Sequence, residues 1–250
     1  MTFFVVPLID IVIRSYFRDF GWLHWALKSI HTFVRGYRHV ILILPESSME
    51  RWKDELIPQG MSLQIVTCPQ FRDDYLGQQV SKLYADQIST ADYIIHVDSD
   101  CVFARPIGCG RDLFRKRKPI HIYRRESVRP AIDGWRRSVE TVLGIHTDKE
   151  FMVAMPAVYP RTIYQNLRQF IRAQHGMELS ELVLAQRSDL FSEFSVLGAY
   201  AFSHMYDHFT WVEAEDESLV NWPCIQFWSR GEDISCASSL VPCDGSRVPT

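Results

Sequence analysis

Short apolar runs alternate regularly with amphipathic stretches in the first half of the chain, and this alternation constrains the fold more than any other feature. The run at residues 39–45 is apolar almost throughout, which is typical of a strand that is covered on both faces. Strands that alternate with helices form a parallel sheet through right-handed crossovers. The pattern predicts strands at residues 9–14, 39–45, 63–68 and 93–97 and helices at residues 20–33, 48–56 and 78–88. We therefore predict an α/β layer that binds ligands at the carboxyl ends of its strands.

The pattern becomes less regular after about residue 100. No repeat, low-complexity segment or Gly/Ser-rich linker separates the two halves. A chain of 250 residues is long enough to bury one large core. We predict a single α/β domain over residues 1–250, in which a mostly parallel central sheet is flanked by helices. The second half is predicted to contain strands at residues 118–123 and 211–212 and helices at residues 134–143, 161–173 and 179–186.

Composition excludes several classes of protein. The chain has 27 Lys and Arg against 30 Asp and Glu, and its net charge of −3 gives no overall basic field for nucleic acid. The longest apolar stretch, at residues 3–13, is interrupted by Pro7 and Asp10 and is too short to span a bilayer. No basic segment with a cleavage site opens the chain. We expect a soluble, unsecreted cytoplasmic protein without a transmembrane segment.

The six cysteines do not follow the spacing of a zinc site. Cys68 and Cys101 lie in apolar, strand-like runs, where a free thiol is usually a small buried hydrophobe. A reducing compartment favours free thiols, although a disulfide between Cys236 and Cys243 stays open as an alternative. We expect the cysteines to be reduced.

Charge is distributed unevenly in the second half. Residues 111–137 contain ten Lys and Arg against three Asp and Glu, whereas residues 178–217 contain nine Asp and Glu against one Arg. Either these segments are two solvated faces that attract each other, or the basic segment is a rim that attracts an anionic substrate. Basic runs such as residues 115–118 usually lie exposed, which favours the two solvated faces.

The segment with the most chemical information is Asp98-Ser99-Asp100, which follows the apolar run at residues 93–97. Side chains alternate along a strand, so carboxylates at i and i+2 are expected to point the same way. Their repulsion is relieved when a cation lies between them. Hard oxygen ligands suit Mg²⁺ or Mn²⁺, especially when substrate phosphates complete the coordination. The alternative is a turn with two solvated aspartates, but the apolar runs on both sides favour a metal site.

This motif is one of four segments that follow each other in a recognisable order. They are DIVIRSYFRDF at residues 10–20 with LKSI at 27–30, QQVSKL at 78–83, YIIHVDSDCVF at 93–103 and SEFSVLGAY at 192–200. With these segments the chain resembles glycosyltransferases of the GT-A fold that carry a DXD motif. More narrowly, it resembles the small enzymes of bacterial surface-polysaccharide and large-DNA-virus type.

The resemblance implies a single-domain GT-A fold, with a nucleotide-binding half at about residues 1–100 and an acceptor-side half at about residues 101–250. It implies a hexosyl- or pentosyltransferase that moves a sugar from a UDP- or GDP-sugar to a glycan or another hydroxyl acceptor, in the cytosol of a bacterium or of a virus-infected host cell. A divalent ion, Mn²⁺ or Mg²⁺, would bridge Asp98 and Asp100 to the donor's diphosphate and neutralise the leaving group. Asp100 would be the direct ligand, and Asp98 would act through water or hold the ribose or the sugar.

The resemblance also implies donor-binding residues. Gln79 and Lys82 lie on one face of the helix before the motif, where Lys82 would be a cation near the donor's phosphate or sugar. The alternative is an exposed helix lysine. Ser15 and Tyr16 end the first strand, where GT-A enzymes receive the base and the ribose. Asp19 would accept hydrogen bonds from a uracil-like or guanine-like base, unless it caps the following helix.

Glu193 is the candidate catalytic residue, because an inverting transfer needs a base that activates the acceptor hydroxyl. Its aromatic neighbours Phe191 and Phe194 are expected to desolvate the carboxyl, to raise its pKa and so to make it a better proton acceptor. The alternative is that Ser192 and Glu193 only cap a helix.

Other interpretations stay open. His204 and His208, four residues apart, would offer a third metal ligand by analogy with some GT-A families. The aromatic stretch at residues 221–228 would either stack on a sugar ring or belong to the core. A catalytically silent nucleotide-sugar or sugar-binding module would have the same fold. A phosphoryl- or nucleotidyl-transferring enzyme is disfavoured, because the sequence contains no Gly-rich phosphate loop.

Overall fold

The structure is a computed structural model that describes residues 7–127, 133–227 and 233–242. Its strands are β1 (Ile9–Arg14), β2 (Val34–Arg35), β3 (Val40–Pro45), β4 (Leu63–Cys68), β5 (Tyr93–His96), β6 (Cys101–Phe103), β7 (Ile107–Gly108), β8 (Phe114–Arg115), β9 (Lys118–Arg125), β10 (Lys149–Glu150), β11 (Ala157–Pro160), β12 (Thr210–Glu213) and β13 (Cys224–Gln226). Its α-helices are α1 (Phe20–Phe33), α2 (Glu46–Met49), α3 (Asp74–Leu83), α4 (Cys109–Asp112), α5 (Asp133–Leu143), α6 (Thr162–His175), α7 (Leu179–Leu184), α8 (Glu193–His204) and α9 (Ser235–Ser238).

The central sheet has five strands in the order β11-β5-β1-β3-β4. The pairs β5–β1, β1–β3 and β3–β4 are parallel, whereas β11 runs antiparallel to β5 at the edge. The prediction of an α/β protein is confirmed, with a sheet of mixed direction. Strands β1 and β4 have the predicted bounds.

Helix α1 also has its predicted bounds and packs against the sheet. It buries Trp22, Leu23, Ala26, Leu27 and Ile30, whose spacing places them on one helical face. The hydrophobic core is continuous from β1 to the last described residues and joins both halves of the chain. None of the helices in the described residues combines the length and apolar character that a membrane span requires.

Two predicted helices differ from the structure. A helix over residues 48–56 is wrong: α2 is a single turn at Glu46–Met49, and Ser48 lies inside it rather than capping it. Helix α3 begins four residues before the predicted start and ends at Leu83. It begins there because the Asp73 carboxylate accepts hydrogen bonds from the backbone N–H groups of Tyr75 and Leu76.

The cysteine prediction agrees with the structure where the structure describes it. Cys68, Cys101, Cys109 and Cys224 are buried free thiols, and Cys236 is an exposed one. The alternative disulfide involves Cys243, which lies outside the described residues. The burial of Cys109 raises the pKa of its thiol to about 12, which makes it inert as a nucleophile.

The uneven charges of the second half meet across two neighbouring strands. Strand β9 runs parallel to β12. The Arg125 guanidinium lies 2.6 Å from the Glu213 carboxylate, and the Arg124 guanidinium lies 3.3 Å from that of Glu215. These ion pairs agree with the interpretation of two solvated faces that attract each other.

The hairpin between β8 and β9 has an unusual turn. Arg115 pairs with Lys118, so that the loop consists of Lys116 and Arg117 alone. Their φ angles are 50° and 66°. Positive φ at both positions is the requirement of a type I′ turn, for which Asn-Gly is the favoured sequence. A side chain with a Cβ costs about 1–2 kcal/mol in this conformation, so this turn is strained.

We expect the double substitution Lys116→Asn/Arg117→Gly to stabilise the protein, because both new residues suit the turn. The free energy of unfolding should rise by about 1–2 kcal/mol, as measured by urea denaturation. The control is Arg115→Gln/Lys118→Gln, which removes the same charge but leaves the turn residues in place. An equal gain in both variants would attribute the effect to charge repulsion and not to backbone strain.

Candidate active site

A pocket of about 370 Å³ opens at the carboxyl ends of β1 and β5, which lie side by side in the sheet. This is the position expected for ligands of such a sheet. Its lining combines carboxylates, basic side chains and aromatic rings: Arg14, Tyr16, Asp19, Asp74, Tyr75, Gln78, Lys82, Asp98, Ser99, Asp100, Trp135, Met152, Ser192, Glu193, Phe194 and Gln226.

Asp98 and Asp100 both line the pocket, but the predicted reason is wrong. Strand β5 ends at His96, and residues 98–101 form a turn closed by a hydrogen bond of 3.1 Å from the Cys101 N–H to the Asp98 carbonyl. The turn, and not strand alternation, places the two carboxylates in the pocket. Ser99 donates a hydrogen bond of 2.9 Å to the hydroxyl of Ser15.

Lys82 forms the electrostatic centre of the pocket. Its Nζ lies 2.6 Å from Asp98 Oδ1 and 2.6 Å from Glu193 Oε1. Its side chain is 5% exposed, and the ammonium lies 4.7 Å from the centroid of the Phe194 ring. The alternative of an exposed helix lysine is therefore wrong. Because Lys82 bonds both carboxylates, it connects α3, the turn after β5 and the start of α8.

The pKa shifts of this cluster follow from burial and from the opposite charges. Burial works against the charge of Lys82, but Asp98 and Glu193 outweigh it and raise the pKa of the lysine above its ordinary value. For Glu193, burial raises the pKa and outweighs the opposing effect of the Lys82 ammonium. The expected direction for Glu193 agrees with the structure. Burial favours proton uptake by this carboxyl, whereas the ion pair orients it.

The start of α8 fixes the position of Glu193. The Ser192 hydroxyl accepts a hydrogen bond of 3.2 Å from the Ser195 N–H and so caps the helix. The backbone N–H of Glu193 donates to Oε1 of Gln79 at 3.0 Å. The capping alternative is therefore correct for Ser192, while the Glu193 carboxylate lies in the pocket. Helix α8 then continues to His204.

The remaining donor-binding candidates divide into two groups. Tyr16 and Asp19 line the pocket. Asp19 precedes α1, but its side chain makes no capping hydrogen bond there. Ser15 and Gln79 are buried and do not line the pocket. The Ser15 hydroxyl accepts a hydrogen bond from Ser99, and the Gln79 side chain accepts one from the Glu193 N–H. Both residues therefore support pocket residues from outside the pocket.

Several lining residues are absent from the predicted set. Asp74 accepts hydrogen bonds from Arg14, including one of 3.2 Å from Nη1 to Oδ2. Gln226 donates to Asp98 Oδ2 at 3.3 Å. Trp135 and Met152 form an apolar part of the wall. They come from segments far apart in the sequence, and no local pattern marks them.

Of the histidines and aromatic residues that the sequence also offered, none that the structure describes lines the pocket, although Gln226 from the stretch at residues 221–228 does. His204 stacks on Tyr200, with 4.6 Å between the ring centroids. His204 and His208 are not part of the pocket lining. Trp222 donates to the Met155 carbonyl at 2.6 Å, which is a structural contact. Trp228 lies outside the described residues.

The donor set of the pocket fits a cation only with help from a substrate. No group of three or more His, Cys, Asp or Glu side chains in the described part of the chain is arranged to hold a metal. Asp98 already accepts from Lys82 and from Gln226. Asp98 and Asp100, the two carboxylates of the turn, would hold a hard cation, and phosphate and water oxygens would supply the other ligands.

The sequence profile of a family of unknown function, DUF6492, matches residues 24–221. The matched span contains Lys82, Asp98, Asp100 and Glu193 but not β1. No curated protein has significant similarity to the chain.

We expect Lys82→Met to destabilise the protein by about 3–5 kcal/mol, because it leaves two carboxylates without their shared cation. Urea denaturation at neutral pH measures this loss. The loss should shrink as the pH is lowered, since the uncompensated carboxyls then take up protons.

The control for this variant is Lys53→Met, since the Lys53 side chain is 72% exposed and its ammonium lies 3.7 Å from the Glu55 carboxylate. It should change the free energy of unfolding by less than about 0.5 kcal/mol. Equal losses in the two variants would contradict the central role of Lys82.

Proposed function

The chain belongs to the DUF6492 family, whose function is unknown, and we propose that it is a metal-dependent glycosyltransferase of the GT-A fold. It would move a sugar from a UDP- or GDP-sugar to a glycan or another hydroxyl acceptor. The observation that carries the proposal is the convergence of Asp98, Asp100, Lys82 and Glu193 in one pocket at the carboxyl edge of the sheet. The mixed sheet and the resemblance of the four sequence segments support the same function.

The donor's nucleoside would bind at the end of β1. Tyr16 offers a ring there, and the Asp19 carboxylate offers an acceptor for N–H groups of a uracil or guanine base. Arg14 is held by Asp74 at the same end of the pocket. Its guanidinium therefore positions Asp74 and the start of α3 rather than serving as the main phosphate ligand.

The diphosphate would lie near the turn at residues 98–101. Asp100 would hold Mn²⁺ or Mg²⁺ together with phosphate oxygens, and the ion would neutralise the charge that develops on the leaving diphosphate. Asp98 is fixed by Lys82 and Gln226. In that position it acts through water or accepts a hydrogen bond from the ribose or the sugar.

Glu193 is proposed to be the general base of an inverting transfer. Its carboxylate would accept the proton of the acceptor hydroxyl, while the hydroxyl oxygen bonds to the anomeric carbon and the bond to the diphosphate breaks. The raised pKa suits proton uptake, and the hydrogen bond from Lys82 fixes the orientation of the carboxylate. Trp135 and Met152 would exclude water from this side of the pocket.

Asp98→Ala and Asp100→Ala are each expected to abolish metal-dependent turnover while the fold persists. The rate should fall by more than about 100-fold, because the ion and the donor lose their anchor. Release of the nucleoside diphosphate from a panel of UDP- and GDP-sugars, with Mn²⁺ and with EDTA, measures the effect. The exposed Asp207→Asn is the control. Full activity in EDTA or in Asp100→Ala would refute the metal-dependent reaction.

Glu193→Gln is expected to lower the rate of transfer by about 10²–10⁴-fold with little change in donor affinity. The amide keeps the shape and a hydrogen bond to Lys82 but cannot take up a proton. Glu217→Gln, at an exposed position, is the control. NMR of the product gives the anomeric configuration, and retention of configuration would overturn the proposed role even if Glu193 were essential.

A nucleotide-sugar or sugar-binding module without catalysis is the second candidate. One observation favours it: the Lys82 ammonium already lies against both Asp98 and Glu193 and holds them in place. Donor binding measured by isothermal titration, together with the assay of nucleoside diphosphate release on the wild type, separates the two functions. A module binds the donor without releasing nucleoside diphosphate, whereas the enzyme does both.

A further inference from the structure

The hairpin between β8 and β9 carries four consecutive basic residues, Arg115, Lys116, Arg117 and Lys118. All four side chains are exposed. We call these four residues the basic tip. A basic tip of this kind is notable in a chain whose net charge is −3, because it concentrates positive potential at one protruding point.

The central pair of the basic tip occupies strained backbone positions. Lys116 and Arg117 have φ angles of 50° and 66°, where Asn and Gly would be relaxed. Their exposed side chains do not contribute to the core that would offset this strain. Strained residues of this kind cluster at functional sites, and what these two contribute is charge.

The basic tip lies at the amino-terminal end of the central strands, whereas the pocket lies at their carboxyl end. The Phe114 ring, at the start of the hairpin, packs on the Tyr93 ring with 4.9 Å between centroids. Tyr93 begins β5, whereas the pocket follows the end of β5. Leu8 lies at the same edge, because its carbonyl accepts from the Tyr93 N–H, and its side chain is 47% exposed. The basic tip is therefore separate from the proposed active site.

Nearby acidic groups leave a local excess of positive charge. Asp112 is paired with Arg111 at 2.8 Å. Hydrogen bonds from Ser218 lower the pKa of Asp216, and the charge of Arg115 lowers it further. Asp216 thus offsets part of the charge of Arg115.

We propose that the basic tip docks the protein onto an anionic lipid surface. A hairpin tip can contact the phosphate headgroups of a flat bilayer while the rest of this net-negative protein stays away from the surface. Clusters of lysine and arginine bind such headgroup layers. The exposed Leu8 adds an apolar side chain at the same edge. Nucleic acid fits less well, because it needs an extended basic face or exposed rings for stacking, and Phe114 is engaged with Tyr93.

Vesicle cosedimentation tests the proposal. The wild type should bind phosphatidylcholine vesicles that contain about 30% phosphatidylserine, should not bind pure phosphatidylcholine, and should be released by salt. Lys116→Asn/Arg117→Gly should weaken this binding by about 30-fold, since it removes two charges from the tip. The same variant is expected to be more stable than the wild type, so the loss cannot come from unfolding.

The matched control is Lys53→Gln/Arg172→Gln, which removes two exposed charges outside the basic tip. It should keep the binding of the wild type. Equal binding by the tip variant and the wild type would overturn the proposal. So would tip-dependent binding to a single-stranded oligonucleotide without binding to vesicles. Sugar transfer is measured separately on soluble donors, so failure of one proposal leaves the other unaffected.

Discussion

The buried ammonium of Lys82 is the interaction on which the pocket depends. A carboxylate that leaves water loses several kcal/mol of hydration, and here two of them, on Asp98 and Glu193, lie against the same cation. Without the ammonium, neither carboxylate would have this compensating charge. The cluster therefore holds together three segments that are 16 and 95 residues apart along the chain, since positions 82, 98 and 193 meet at one point.

Two further constraints place that cluster at the carboxyl end of the sheet. Strand β1 lies next to β5, so the residues that follow both strands share one edge. The hydrogen bond between Ser15 and Ser99 ties the two strand ends together behind the aspartates. The pocket thus results from strand order, while its charge results from three side chains.

Much of this arrangement could be predicted from the sequence. Periodicity defines β1, β4 and α1, and the edge rule for parallel strands brings Tyr16, Lys82 and Asp98 into one region. The residue pattern does not determine whether a side chain faces the pocket or the core behind it, and Ser15 and Gln79, both predicted to bind the donor, lie buried behind the pocket. Long-range partners such as Gln226, which reaches Asp98 through the pairing of β13 with β6, leave no local signal.

The order of these segments along the chain has a consequence for biosynthesis. The last strand of the central sheet, β11, ends at Pro160, whereas Glu193 and Gln226 follow much later. On the ribosome, the sheet is therefore complete before the pocket has its last two partners. Of the two carboxylates that contact Lys82, only Asp98 has been synthesised at that stage. The second carboxylate arrives with the beginning of α8, and Asp98 gains its amide partner Gln226 only when β13 follows.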